Sequence, residues 1–204
     1  GDVYKRQDSI YIDGMEGGTG AGPHLATEET GVPGIAAIRQ ARLALEDVGK
    51  SGEISLVYAG GIRNGGDLAK AIALGADAVA IGHSVLMALN CNKAIPEADF
   101  ENEMGVEAGY CYHCHTGRCP VGVATQDPIL RQRLNPDEAA ERVYNFLHTL
   151  TIEAQMLARA CGKTYIHSLE PEDLAALTME ASALAQVPLA GTQHTVGRPD
   201  MTRF

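Results

Sequence analysis

Ile54-Ser55-Leu56-Val57-Tyr58-Ala59-Gly60-Gly61-Ile62-Arg63-Asn64-Gly65-Gly66-Asp67, continued by Leu68-Ala69-Lys70-Ala71-Ile72-Ala73-Leu74-Gly75, decides the fold. A short apolar run rich in β-branched and aromatic residues has the composition of a buried strand, and the glycines after it end that strand. From Leu68 to Leu74, Ala, Leu and Ile recur at three- and four-residue spacing, and Gly75 is placed as a helix stop. Strand, glycine-rich turn and helix make one βα unit. Upstream, Ser9-Ile10-Tyr11-Ile12 leads through a glycine-rich loop to an amphipathic stretch from Ile35 to Val48 that stops at Gly49. Downstream, Ala78-Val79-Ala80-Ile81 runs into Gly82-His83 and a short helix opening at Ser84. This alternation predicts a parallel sheet.

In a (β/α)8 barrel the loops after the strand C-termini build the active site, so glycine turns there read as ligand-binding turns. Three units fall short of eight. The expected fold class is therefore α/β, the C-terminal part of a (β/α)8 TIM-type barrel over residues 8–91, followed by a cysteine loop (92–128), C-terminal helices (129–190) and a flexible tail (191–204). Asp137 to Cys161 predicts a long helix with Val143, Phe146, Leu147, Leu150, Ala154, Leu157 and Ala158 on one face. A second helix is expected from about Pro171 to Leu184. Asp2-Val3-Tyr4-Lys5-Arg6-Gln7 spells the translation of a transposase adapter used in sequencing libraries, so residues 1–7 read as a scar and the protein is expected to continue upstream.

Composition narrows the partners. The 204 residues are 45% hydrophobic and 21% charged, as in a chain that buries a core. A net charge of -10 with scattered Lys and Arg sets nucleic acid aside, and no apolar run approaches the roughly 20 residues of a membrane span. A cytoplasmic protein is expected. Of five cysteines, Cys111, Cys114 and Cys119 crowd into one loop, while Cys91 and Cys161 stand apart. Such crowding favours metal over disulfides.

Two loops suggest a phosphate site: Gly60-Gly61 with Arg63, and Gly82-His83. Glycines admit an anion close to backbone N–H groups, and Arg63 adds a charge-assisted contact. A third loop, Asp13-Gly14-Met15-Glu16-Gly17-Gly18-Thr19-Gly20-Ala21, has neither the Walker nor the dinucleotide pattern. Continued through Gly22-Pro23, it resembles the His-Asp-Gly-Gly-Thr-Gly-Ala-Ser-Pro loop of glutamate synthases, with Met15-Glu16 in place of His-Asp and Gly22 in place of Ser. Cys114-His115-Thr116-Gly117-Arg118-Cys119-Pro120-Val121-Gly122-Val123-Ala124-Thr125-Gln126-Asp127-Pro128 closely resembles the iron-sulfur loop of the same family. The resemblance runs from about Ser9 to Thr192, and the closing stretch looks most like the archaeal-type and methylglutamate synthase-like branch.

The resemblance implies FMN and an iron-sulfur cluster. Gly17, Gly18, Thr19, Gly20, Gly60, Gly61, Arg63, Gly82 and His83 would hold the flavin, and Glu16 is the one catalytic candidate. The cluster would draw on Cys114 and Cys119. The family's first ligand is missing, since position 108 is alanine, and Cys111 or Cys91 substitutes for it. Three thiolates suit a 3Fe-4S cluster and all four a 4Fe-4S cluster. A zinc site from these cysteines with His113 or His115 is the structural alternative. His113 and His115 are otherwise expected to shield the loop, and Cys161 to be a core thiol. The implied reaction is reductive amination of 2-oxoglutarate to glutamate, with glutamine-derived ammonia or methylamine as donor. Implied partners are a glutaminase-type subunit and an electron donor, ferredoxin or a pyridine nucleotide reductase. The keto-acid residues of the family would lie upstream, so the chain alone is expected to be inactive. An IMP dehydrogenase-like oxidoreductase and a non-catalytic electron-transfer or zinc-stabilised subunit are the rival readings.

Overall fold

A computed structural model describes residues 8–18, 22–91 and 113–197. Their backbone divides into two compact units. The first draws its described residues from Gly1–Gly17, Thr30–Ala80 and Leu150–Phe204, the second from Gly18–Glu29 and Ile81–Thr149.

The first unit is built on a parallel sheet of β1 (Ser9–Asp13), β2 (Ser55–Ala59) and β3 (Ala78–Ala80), in that order. The register pairs Ile12 with Tyr58 and Asp13 with Ala59 across β1 and β2, and Tyr58 with Val79 and Ala59 with Ala80 across β2 and β3. Between the strands run α2 (Gly34–Asp47) and α3 (Gly65–Ala73). The parallel sheet and its helices make the α/β class. They are consistent with part of a (β/α)8 barrel.

Side-chain alternation gives the sheet two faces. Tyr58 reaches Gly34 at the start of α2, so Tyr58, Leu56, Ile10, Ile12 and Val79 share the helix-covered face. Leu56 and Ile38 are fully enclosed there. Arg42 ties the layers together: its guanidinium donates to the Gly75 carbonyl and to Asp77 Oδ2 at 2.7 Å, and the same Asp77 oxygen accepts the Leu56 N–H at 2.7 Å. With Arg42 buried, these partners offset the cost of desolvating its charge.

The long helix α6 (Pro136–Ala160) contributes its second part, from Leu150, to the first unit. Ala154 and Ala158 pack with Ala69, Ile72, Ala73 and Leu169 into one core cluster. Its apolar face is narrower than the sequence predicts. Leu150, Ala154 and Ala158 are buried, whereas Leu147 and Leu157 are 39% and 44% exposed. Cys161, just past the helix, is exposed rather than core.

The helix expected from Pro171 to Leu184 is interrupted. One 3-10 turn spans Pro171–Asp173, an extended stretch follows in which Ala176 bridges Leu189, and α7 (Met179–Ala185) starts only after Thr178. Thr178 Oγ1 accepts the Ala181 N–H at 3.1 Å, which makes a fresh N-cap. The tail expected to be flexible from Gly191 is fastened at least to Val196, whose N–H donates to the fully buried Ser182 Oγ. Among the described residues no helix is long and apolar enough to cross a membrane.

The second unit holds α1 (His24–Glu29), α4 (His83–Ala88), α5 (Pro128–Arg131) and the first part of α6.

Candidate functional site

At the C-terminal ends of β1 and β2 the loops are tied to one another and to the start of α2. The turn Gly14–Gly17 closes on itself through Gly17 N–H to Gly14 O (2.8 Å). It is tied to β2 by Gly14 N–H to Ala59 O (2.9 Å), and Met15 N–H donates to Val32 O (3.0 Å). Glu16 lies within this turn. Its carboxylate accepts the Gly34 N–H at 3.0 and 3.2 Å, at the first turn of α2, and faces the Tyr58 hydroxyl at 3.4 Å. An anion at a helix N-terminus is stabilised by the exposed amides and the dipole, so Glu16 caps α2 from eighteen residues away.

Tyr58 is the hub. A β-carbon at Gly34, Gly14 or Gly60 would lie 1.7, 2.9 or 3.2 Å from its hydroxyl oxygen, so three glycines make room for one phenol. Burial and then the Glu16 charge push the Tyr58 hydroxyl up to about 12. The phenol therefore stays protonated and can donate to Glu16.

Beside it, Gly60 and Gly61 adopt φ of 113° and 68°, left-handed values that exclude most side chains. A β-carbon at Gly61 would meet Glu16 Cβ at 3.1 Å. A cavity of about 410 Å³ opens here, lined by Glu16, Tyr58, Gly60, Gly61, Arg63 and Lys70 among others. Arg63 is largely exposed and pairs with Asp67 at 3.2 Å, a bridge weak enough to yield to a stronger anion. The glycine cradle fits a phosphate in kind: backbone without side chains, and a guanidinium at the rim.

Gly82 and His83 are exposed residues of the second unit, with no atom within 4 Å of a β-carbon built at Gly82. Gly18 is exposed in that same unit, and Thr19 and Gly20 lie outside the described residues.

The cysteine loop belongs to the second unit. Cys114 opens a 3-10 turn to Thr116 that His113 precedes, and Gly117 follows in the left-handed region. Thr125 Oγ1 donates to the Gly117 carbonyl, Arg133 donates to Pro120 O at 2.8 Å, and Asp127 caps α5 by accepting the Ile129 and Leu130 amides. Cys119 is buried, Cys114 exposed and Cys91 half-buried, while His115 is exposed. Cys111 lies outside the described residues. Among the described residues no group of three or more His, Cys, Asp or Glu side chains is arranged to hold a metal ion. The described thiols supply the right soft donors but not a complete ligand set.

Sequence reading missed two side chains. Tyr58 reads only as strand material, because period two assigns its side chain to a sheet face and says nothing of the loop it meets. Asp13, the last residue of β1, opens the glycine-rich loop in the sequence, but only the strand register gives its side chain a face apart from that of Glu16.

A sequence profile described as the conserved region in glutamate synthase matches residues 1–96 and 102–164. A "Glutamate synthase large subunit-like protein" of Rhizobium meliloti is 50% identical over 191 residues, 94% of this chain and 43% of its own length. An "Archaeal-type glutamate synthase [NADPH]" of Dehalococcoides mccartyi is 39% identical over 79% of this chain and 29% of its own length. An "Archaeal glutamate synthase [NADPH]" of Methanocaldococcus jannaschii is 40% identical over the same share of this chain and 28% of its own. The chain thus spans less than half the length of each of these relatives.

Proposed function

The chain belongs to the glutamate synthase family of oxidoreductases, and from that premise we propose that it is the part of an FMN- and iron-sulfur-dependent enzyme that grips the flavin phosphate and carries the cluster loop. The reaction is reductive amination of 2-oxoglutarate to glutamate, with ammonia from glutamine or methylamine as amino donor. The observation that carries this reading is the bare-backbone cradle of Gly60 and Gly61, held beside the Glu16 turn by Tyr58. Gly60, Gly61 and Arg63 would hold the phosphate, with Gly17 beside them, and the family resemblance alone assigns Gly18, Thr19, Gly20, Gly82 and His83 to the same cofactor. FMN, when bound, supplies the hydride chemistry, so the protein's own share is binding and orientation. Glu16, engaged with α2 and Tyr58, serves to position the glycine turn. The names of two relatives include NADPH, which supports a pyridine nucleotide as electron source, with ferredoxin as the other candidate.

Cys114 and Cys119 are the ligands proposed first for the cluster, joined by Cys111 from the same loop for 3Fe-4S and by Cys91 as well for 4Fe-4S. Anaerobic purification of the complete enzyme with iron, sulfide and flavin analysis tests both cofactors. FMN and acid-labile sulfide are expected. FAD, or zinc without sulfide, overturns the respective assignment. Glutamate formation from 2-oxoglutarate and an amide or amine tests the reaction, and oxidation of IMP instead would favour the rival barrel.

A further inference from the structure

The sheet face turned away from α2 carries one charged side chain among the three strands, and it stands at their C-terminal end. Asp13 closes β1 in register with Ala59, itself in register with Ala80, so its cross-strand neighbour ends at the β-carbon and does not cover it. Functional groups of parallel α/β folds cluster at this end of the sheet. Asp13 is exposed, and among the described residues no hydrogen bond or ion pair engages its carboxylate. Other carboxylates of the first unit are held: Glu16 by Gly34, Asp67 by Arg63, Asp77 by Arg42. The turn that follows does not need Asp13, because its own Gly17 to Gly14 hydrogen bond and its anchors to Ala59 and Val32 close it. Yet the turn is shaped around the carboxylate. A β-carbon at Gly17 would fall 1.8 Å from Asp13 Oδ1, so only glycine leaves the group in place and open.

We propose that Asp13 is a substrate-binding residue that receives the cationic nitrogen of the amino acid, the ammonium group of glutamate. The assignment rests on the glutamate-forming reading above and adds the residue that tells amine from ketone. A carboxylate accepts hydrogen bonds and donates none, so its natural partner is an N–H group bearing positive charge. Glutamate offers such a group at its α-carbon. 2-Oxoglutarate offers only a carbonyl oxygen there, to which Asp13 has nothing to give.

Titration of the complete enzyme, without electron donor, with L-glutamate and separately with 2-oxoglutarate tests this. In Asp13→Asn, glutamate affinity should fall by about tenfold or more, as expected for a lost charge-assisted hydrogen bond, with 2-oxoglutarate unchanged within about twofold. Asp13→Glu, which keeps the charge, should recover part of the glutamate affinity. Equal loss for both ligands, or no loss for either, overturns the assignment. Should Asp13→Asn fail to fold, Asp13→Ser carries the same titration, and failure of both assigns the carboxylate to the fold and overturns the proposal. Wild-type enzyme that binds neither ligand defeats the glutamate-forming reading itself, and this assignment with it.

Discussion

Tyr58 shows how one side chain organises a loop cluster. Its hydroxyl occupies space that Gly14, Gly34 and Gly60 leave open, and its partner Glu16 spans from the first loop to the start of α2. Gly34→Ala places a β-carbon 1.7 Å from that hydroxyl, so overpacking should lower stability by about 2 kcal/mol, read from the urea midpoint. The phenol also sets an alkaline limit. Its ionisation is raised from 10.0 to about 12 in the folded state, first by burial and then by Glu16. The folded protein thus keeps a proton that the unfolded chain releases, and the stabilisation is complete below pH 10 and lost as pH rises toward 12. Stability measured across that window should fall less steeply in Tyr58→Phe than in the wild type.

At the scale of elements, α3 is fixed at its start by two independent devices. Asn64 Oδ1 accepts the Asp67 N–H at 2.9 Å, an ordinary N-cap, and Asn64→Ala should cost about 1 kcal/mol. Gly65 N–H donates to Glu153 Oε2 at 2.7 Å, and here α3 and α6 approach so closely that a β-carbon would lie 2.3 Å from Glu153 Cβ and 2.5 Å from Leu150 O. Backbone cannot step aside as a flexible side chain can. Gly65→Ala should therefore cost about 3 kcal/mol, clearly more than loss of the cap, and thermal melts of the two variants side by side check the order. The same close approach explains the small residues Ala154 and Ala158 on α6: they let the helix axes come near enough for Ala69 and Ala73 to fill the seam.

For the whole molecule, the share of its relatives' length that the chain spans bears directly on activity. It covers 43% of the Rhizobium meliloti protein and 28% of the Methanocaldococcus jannaschii one. The 204-residue chain alone is expected to form no glutamate, while the complete enzyme does; a coupled assay on both checks this. On the FMN reading proposed above, Gly61→Val in the complete enzyme should strip the flavin. Position 61 has φ of 68°, and a β-carbon there meets Glu16 at 3.1 Å, so a branched residue both strains the backbone and blocks the phosphate's approach. At least a tenfold drop in the flavin-to-protein ratio is expected by absorbance, with the far-ultraviolet circular dichroism unchanged.

Sequence alone determined the parallel βα units, because period, glycine stops and strand composition are local properties of the chain: β1, β2, β3, α2 and α3 lie within three residues of where they were read. It also determined the family, since Cys114 to Pro128 and the Asp13 to Ala21 loop are contiguous motifs. Tertiary structure decided everything that depends on distant partners. Glu16 became a cap for α2 because Gly34 sits eighteen residues away in sequence and 3.0 Å away in space. The expected helix from Pro171 broke because Ala176 found Leu189, and the tail was fastened because Ser182 offers Val196 a buried acceptor. Asp13 stands apart from Glu16 only once strand register assigns it to the face away from α2, beside Ala59. Periodicity reports which residues face the same way; only packing reports what they face.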